Sequence, residues 1–405
     1  MNPFERYVQL CGEIGHFTES VTGSNLVDAY TGPPELSPDR QKKDYDAKTL
    51  LHEVGELHDL ITDEAEDEVR QQYLLGEIDS FWTTLRWLSG VPMLYSDIVE
   101  GMFNIPMRGF RESEINTEIE VLEAQLSTHS GDSLQEKVHL FSQEGEVTGN
   151  ALRDLIETSL QQKANSIGTQ FEEKIYSLME RDVTDNGVEY RCVSDKPWSA
   201  YNWYQGGFKS LNEFNIDRPF NRDQLASAIY HEYEHHVSNL WKEQLYIDTG
   251  NLELAIVPLH TGRCVISEGT ADTSRDFLQI AEQDERGRIT NTLYKIRRMT
   301  LINAAIMLNS EKKSKEEVME YLVTRGLREP GTFTLSFIEP NQSDGRPNFW
   351  APYIFTYFFG RQDFVLPTYE KAVNEDQLAR FFRTMYLNPY SGSSLTWKLA
   401  FDWLL

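Results

Sequence analysis

Between Lys43 and Leu88, apolar residues recur every three or four positions. Leu50, Val54, Leu57 and Ile61 fall on one side of a helix, with charged residues between them. A second run of this kind covers roughly 133–180, where "LRDLIETSLQQKANSIGTQFEEKIYSLME" alternates apolar stripes with charged faces. The stretch between them, "LSGVPMLYSDIVEGMFNIPMRGF", carries the Gly and Pro breaks of helix connections. The texture changes near Asp182. "AYNWYQGGFKSLNEFNI" alternates with period two on either side of Gly206-Gly207 and predicts two short antiparallel strands. After Pro219 the helical period resumes and continues to the end. The expected fold is therefore mostly α and large, with a small antiparallel hairpin or sheet. One boundary, near 182–186, separates a helical N-terminal lobe (1–185) from a second lobe (186–405). The two could also form one integrated domain.

Composition narrows the class. The chain has 405 residues, 40% of them hydrophobic, with 21 Phe, 19 Tyr and 8 Trp, which is ample for a large core. No stretch approaches a membrane span. The first residues show no basic leader followed by an apolar run, and Cys11, Cys192 and Cys264 are too dispersed for a disulfide framework or a CxxC knuckle. These features predict a cytoplasmic protein. A formal net charge of -26 repels phosphate backbones and anionic lipid, so neither nucleic acid nor a membrane is the expected partner.

The candidate chemistry lies in "AIYHEYEHHVSNLW", Ala228–Trp241. Asn221 can cap this helix, with Gln224 as its capping-box partner. Leu225, Ile229, His236 and Leu240 then share one face. His231 and His235 are four residues apart, so both imidazoles leave the same side one turn apart and can reach one tetrahedral zinc ion. Glu232, next to the first histidine, is placed to act as general base and acid on a zinc-activated water. His236 points about 100° away from His235 on an undistorted helix, so His235 is the expected second ligand. The similar "LHEVGELH" at 51–58 places His52 and His58 six residues apart, on opposite sides of a helix, and reads as surface.

A third ligand must come from elsewhere. The positions that would carry a metzincin's Gly and third His are Ser238 and Trp241, and Thr273 stands where an aspzincin has Asp. "CVISEGTADTSRDFL" instead offers Glu268 as ligand, 33 residues after His235, and Asp272 one turn later. Asp272 could then accept the free ring N–H of His231 and fix its tautomer.

"YHEYEHH" with "SEGTAD" resembles the gluzincin zinc metallopeptidases. The mostly helical setting is closer to carboxypeptidase Taq-like and oligopeptidase-like enzymes than to thermolysin. A longer resemblance, through "VDAYTGPPEL", "KPWSAYNWYQGG" and the HE…HH helix, is to a group of bacterial proteins carrying a domain of unknown function. That group has a Pro-Gly-containing insert between HE and its paired histidines. Here the spacer is only Tyr233-Glu234. The resemblance implies a catalytic second lobe, a cleft between the lobes, and a short-peptide substrate hydrolysed by water without a covalent intermediate.

In gluzincins the strand before the active helix binds extended substrate through its backbone. "GFKSLNEFNI" occupies that place, with Asn212, Glu213 and Asn215 as lining residues, although a plain structural hairpin fits the pattern equally well. The oxyanion needs a donor. On one helix Tyr353, Tyr357 and Arg361 share a face at i, i+4 and i+8. They could offer phenols to the reacting carbonyl and a guanidinium to a peptide carboxylate, or simply belong to the core. Tyr201, Tyr204 and His260 are weaker candidates. Two other functions fit the same residues: a zinc hydrolase of a non-peptide amide or ester, and a non-catalytic helical binding protein with a structural metal.

Overall fold

The computed structural model describes residues 2–64, 67–196, 198–217, 219–280 and 285–405. Pro197 of the "KPWSAYNWYQGG" stretch lies outside them. The fold is mostly α, as the periodicity predicts. Helices run in the order α1 (Pro3–Thr22), α2 (Ala47–Glu64), α3 (Glu68–Leu88), α4 (Tyr95–Phe103), α5 (Glu112–Gln125), α6 (Leu134–Glu144), α7 (Gly149–Asp154) and α8 (Gln161–Lys174). They continue as α9 (Arg222–Thr249), α10 (Gly262–Phe277), α11 (Glu285–Asn309), α12 (Lys315–Thr324), α13 (Ile354–Phe359), α14 (Leu366–Asn374), α15 (Leu378–Leu387) and α16 (Trp397–Ala400). A π-helical turn, Gly360–Val365, joins α13 to α14.

Among the described residues, seven short strands form three small sheets. β1 (Val27–Tyr30) pairs antiparallel with β7 (Ile256–Pro258), and β2 (Glu146–Val147) with β6 (Phe220–Asn221). The predicted hairpin is β4 (Ala200–Gly206) and β5 (Lys209–Asn215). Gly206 and Gly207 at its tip have φ of 71° and 63°, the left-handed conformation that glycine adopts without strain. A third strand, β3 (Val188–Val193), joins β5 in parallel, so the order is β3-β5-β4. β5 is therefore central. Its backbone groups are taken on both sides, and it cannot accept a substrate as an added strand. Asn212 and Asn215 are buried, and Glu213 accepts from the indole of Trp203 (2.9 Å). The edge strand nearer α9 is β4, which packs on that helix.

The main cores do not divide at residue 185. One gathers α1–α4 with the packed faces of α11, α12 and 335–359. The other gathers α7 and α8 with the three-stranded sheet, most of α9 and the C-terminal helices. Each draws on both sides of the expected boundary, because the N-terminal helices pack onto separate parts of the later chain. A smaller cluster joins α5, α6 and α11. α10 lies at the seam: Val265 packs in one main core and its neighbour Ile266 in the other.

Candidate metal centre

α9 begins where the sequence predicts. Asn221 caps it, its Oδ1 accepting from the Asp223 amide at 2.9 Å; Gln224 does not close a capping box. The pairing of Asn221 with Glu146 pins this start to the N-terminal half of the chain. The helix ends at Gly250, with φ 72°. Its buried stripe of Leu225, Ile229, Val237, Leu240 and Trp241 holds it in place, each side chain contributing roughly 1.5–3 kcal/mol. That apolar hold lets the other side carry polar groups.

His231, His235 and Glu268 converge. Their facing atoms are His231 Nε2 to His235 Nε2, 3.2 Å, His231 Nε2 to Glu268 Oε2, 3.3 Å, and His235 Nε2 to Glu268 Oε2, 3.9 Å. Zinc bonds of about 2.0–2.2 Å in a tetrahedron require edges of about 3.3–3.6 Å, and the three separations bracket that value. His231 Nδ1 lies 2.8 Å from Asp272 Oδ1, and His235 Nδ1 lies 3.3 Å from Ser267 Oγ. With a proton on each Nδ1, both Nε2 lone pairs face inward. Glu268 Oε2 is buried and has no hydrogen-bond partner, while its Oε1 accepts from the Tyr353 hydroxyl at 2.8 Å. In those tautomers three electron-pair donors meet around one point with no donor between them. Uncompensated, that arrangement is costly, and a cation resolves it.

The electrostatics agree. Burial pushes the Glu232 carboxyl up to about 7, with His231 opposing and Glu268, Asp28 and Asp272 adding to the rise. Burial raises Asp28 as well, against the pull of the Tyr201 hydroxyl and Arg263. Burial also depresses His231, but its bonds to Asp272 and Glu268 outweigh this, so it holds a proton well above the ordinary histidine range. His235 is pushed down to about 4 by burial and by His231. A proton on His231 Nε2, shared with Glu268, and a cation at the same point are thus alternative ways of offsetting the carboxyl groups around the cluster.

His236 faces away. It is fully buried, with Nδ1 at 2.9 Å from Ser210 Oγ and Nε2 at 2.8 Å from Asp185 Oδ1. Both ring nitrogens are occupied, so His236 ties α9 to the sheet. Glu232 lies on the inner side of α9, and its carboxylate has no hydrogen-bond partner among the described residues. Its backbone carbonyl accepts from Asn202 of β4 (3.3 Å).

The C-terminal face departs from expectation. Tyr353 is buried and spends its hydroxyl on Glu268, so it supports the carboxylate rather than lining a substrate site. Arg361 donates from Nη1 to both Asp276 Oδ2 (2.6 Å) and the Asp272 carbonyl (3.0 Å), which ties one end of its guanidinium to α10. The i, i+4, i+8 face assumed an uninterrupted α-helix, and the π turn that begins at Gly360 breaks that register. Tyr357 is the member of the trio that faces His231. Its ring stacks 6.5 Å from that of His231, and no described residue accepts from its hydroxyl. The weaker candidates are occupied too: Tyr204 donates to Glu243 (2.5 Å), Tyr201 donates to Asp28, and fully buried His260 donates to the Phe349 carbonyl (2.8 Å). His52 and His58 are surface residues, with side chains 75% and 43% exposed.

Four neighbours escaped the sequence reading. Asp28 comes from β1, inside the quoted "VDAYTGPPEL". Arg298 of α11 lies 4.0 Å over the Tyr357 ring and contacts the Tyr294 hydroxyl. Gly269 and Gly360 bring α10 and the π turn into backbone contact: a Cβ on Gly269 would lie 2.4 Å from Gly360 C, and one on Gly360 would lie 1.9 Å from the Val265 carbonyl oxygen. That contact sets Glu268 and Asp272 against Tyr353 and Tyr357. Lone glycines on two separated helices carry no local signal of their pairing.

No family model matches the chain, and no curated protein matches it. Among solved structures it is similar to a putative lipoprotein from Colwellia psychrerythraea, with a TM-score of 0.54 and 12% identity over 96% of this chain and 68% of that one. The similarity is one of fold. No described helix is long and apolar enough to cross a membrane.

Proposed function

We propose that the protein is a zinc-dependent hydrolase of the gluzincin type that cleaves peptide bonds, with short peptides as substrates. The observation that carries this reading is the meeting of two histidine lone pairs with the orphaned Glu268 Oε2 at near-tetrahedral separations. His231, His235 and Glu268 would hold the metal, with Asp272 and Ser267 orienting the two imidazoles. Bound there, zinc supplies Lewis acidity, which polarises a carbonyl and brings the pKa of water toward ~7.

The chain's own groups do the rest. Glu232, free of other partners, accepts the proton of the attacking water and returns it to the departing amine, so charge is conserved over the cycle. Tyr357, with its hydroxyl uncommitted, donates to the oxygen that gains charge as the carbonyl becomes tetrahedral. The edge strand β4, which packs on α9, offers main-chain groups to an extended substrate.

The test is hydrolysis of a short-peptide library by zinc-loaded protein and by its Glu232→Gln variant. Zinc binding preserved in the variant with turnover lost supports the reading. Equal turnover of every cleaved peptide by the variant would refute it.

A further inference from the structure

The far side of His235 has a different character. Between α9, α10 and α15 lies a recess of about 30 Å³, lined among others by Ser238, Lys242, Arg263, Ser267, Thr270 and Tyr386. It concentrates positive charge in a chain whose net charge is -26. Arg263 is 5% exposed, and its one hydrogen bond to a described side chain is a long contact, 3.4 Å, to Asn239. Among the described residues neither Lys242 nor Arg263 has a carboxylate within ion-pair distance.

The neighbouring acids, Glu234 and Glu77, act on these cations from beyond ion-pair distance, and Glu77 Oε1 is buried without a hydrogen-bond partner. Glu234 accepts from Ser238 (2.6 Å), Tyr386 (3.0 Å) and Thr270 (3.0 Å), and Glu77 accepts from Tyr7 (3.1 Å). The hydroxyls of Ser238, Tyr386 and Thr270 are thereby spent. Ser267 differs. With its Oγ lone pair turned to His235 Nδ1–H, its own O–H still needs an acceptor. What the recess offers is two cations and one unspent hydroxyl proton. Burial and the nearby Arg263 charge hold the Lys242 ammonium well below its ordinary range, a penalty that a counter-ion would relieve.

We propose that this recess is a binding site for one small inorganic anion of halide size, held by Lys242 and Arg263 and accepting the Ser267 hydroxyl proton. The volume holds about one or two waters, so it suits a monatomic ion and excludes a substrate carboxylate with its attached chain. A bound anion fixes the Ser267 hydroxyl and, through it, the ring of His235. That last consequence rests on the zinc role proposed for His235. The anion site itself does not, so its test uses metal-free protein.

The melting temperature of the full chain is measured against chloride and bromide, with gluconate holding ionic strength constant. Halide at a hundredfold excess over its dissociation constant raises it by about 3 °C in a chain of this length, and Lys242→Met abolishes the rise. Crystals grown in bromide give an anomalous peak between Lys242 Nζ and Arg263, a readout that needs no variant. Identical melting in halide and gluconate, an undiminished rise in Lys242→Met, or an empty recess in the bromide crystals would each overturn the proposal.

Discussion

Gly360→Ala tests how the two halves of the centre are held together. The added methyl would lie 1.9 Å from the Val265 carbonyl oxygen and 3.0 Å from Gly269 N, where ordinary contact begins at 3.4 Å. Both neighbours are backbone, so no side chain can swing aside. α10 and the π turn must separate by about 1.5 Å, the gap between the clash and ordinary contact. Overpacking of this kind costs about 1–3 kcal/mol. With an unfolding entropy of roughly 0.85 kcal/mol/K for a chain of this length, the melting temperature should fall by only about 1–4 °C. The centre should suffer more, because Glu268 and Asp272 ride on α10 while Tyr353 and Tyr357 precede the π turn. A misplacement of ~1 Å can cost about 100-fold in rate. Thermal melting by circular dichroism, read beside peptide turnover and zinc affinity, separates the two effects. A variant that melts within a few degrees of wild type and turns over peptide at the wild-type rate would refute the claim that this contact sets the site.

Three further outcomes follow from named contacts. Asp272→Asn removes the acceptor that orients His231 and should weaken zinc binding by about 10–100-fold with the fold intact, measured by competition with a chromophoric chelator. His236→Asn should destabilise the chain by breaking the Ser210–Asp185 tie, yet leave zinc stoichiometry unchanged; loss of stoichiometric zinc would mean that the wrong histidine of the pair has been assigned. His260 is pushed down to about 3 by burial, although its bond to the Phe349 carbonyl opposes this. The unfolded chain, with an ordinary histidine pKa near ~6.5, therefore takes up that proton first. The stabilising contribution is complete above about 6.5 and is lost as pH falls toward 3, by up to about 1.4 kcal/mol per pH unit. His260→Asn, which tolerates the left-handed backbone there (φ 58°), should flatten that stretch of the denaturation curve; an unchanged slope would contradict the assignment.

Legibility in the sequence followed the range of the interactions. The α9 cluster was readable because four-residue spacing is local geometry, as was the Glu268–Asp272 pair on α10. The hairpin announced itself through alternation around two glycines. The missed strands have partners far along the chain: Val27 meets Pro258, and Glu146 meets Asn221. Short segments of two to four residues carry too little pattern to show such pairing. β5 looked like an edge because nothing in its own residues reveals the parallel partner β3. The face shared by Tyr353, Tyr357 and Arg361 is interrupted by a π turn, one extra residue in a helix whose composition does not signal it. The competition between His235 and His236 turned on what lies opposite each ring, and Ser210, Asp185, Ser267 and Glu268 come from three other segments.

The central claim is that His231, His235 and Glu268 form a zinc site. Its most direct test is the metal content of the purified full chain after loading with zinc and exhaustive dialysis, compared with Glu268→Gln. This variant keeps the volume of Glu268 but converts its orphaned carboxylate into an amide. One zinc per wild-type chain, and a clear loss of retained zinc in the variant, is the predicted result. No retained zinc in the wild type, or equal retention in the two proteins, would contradict the account.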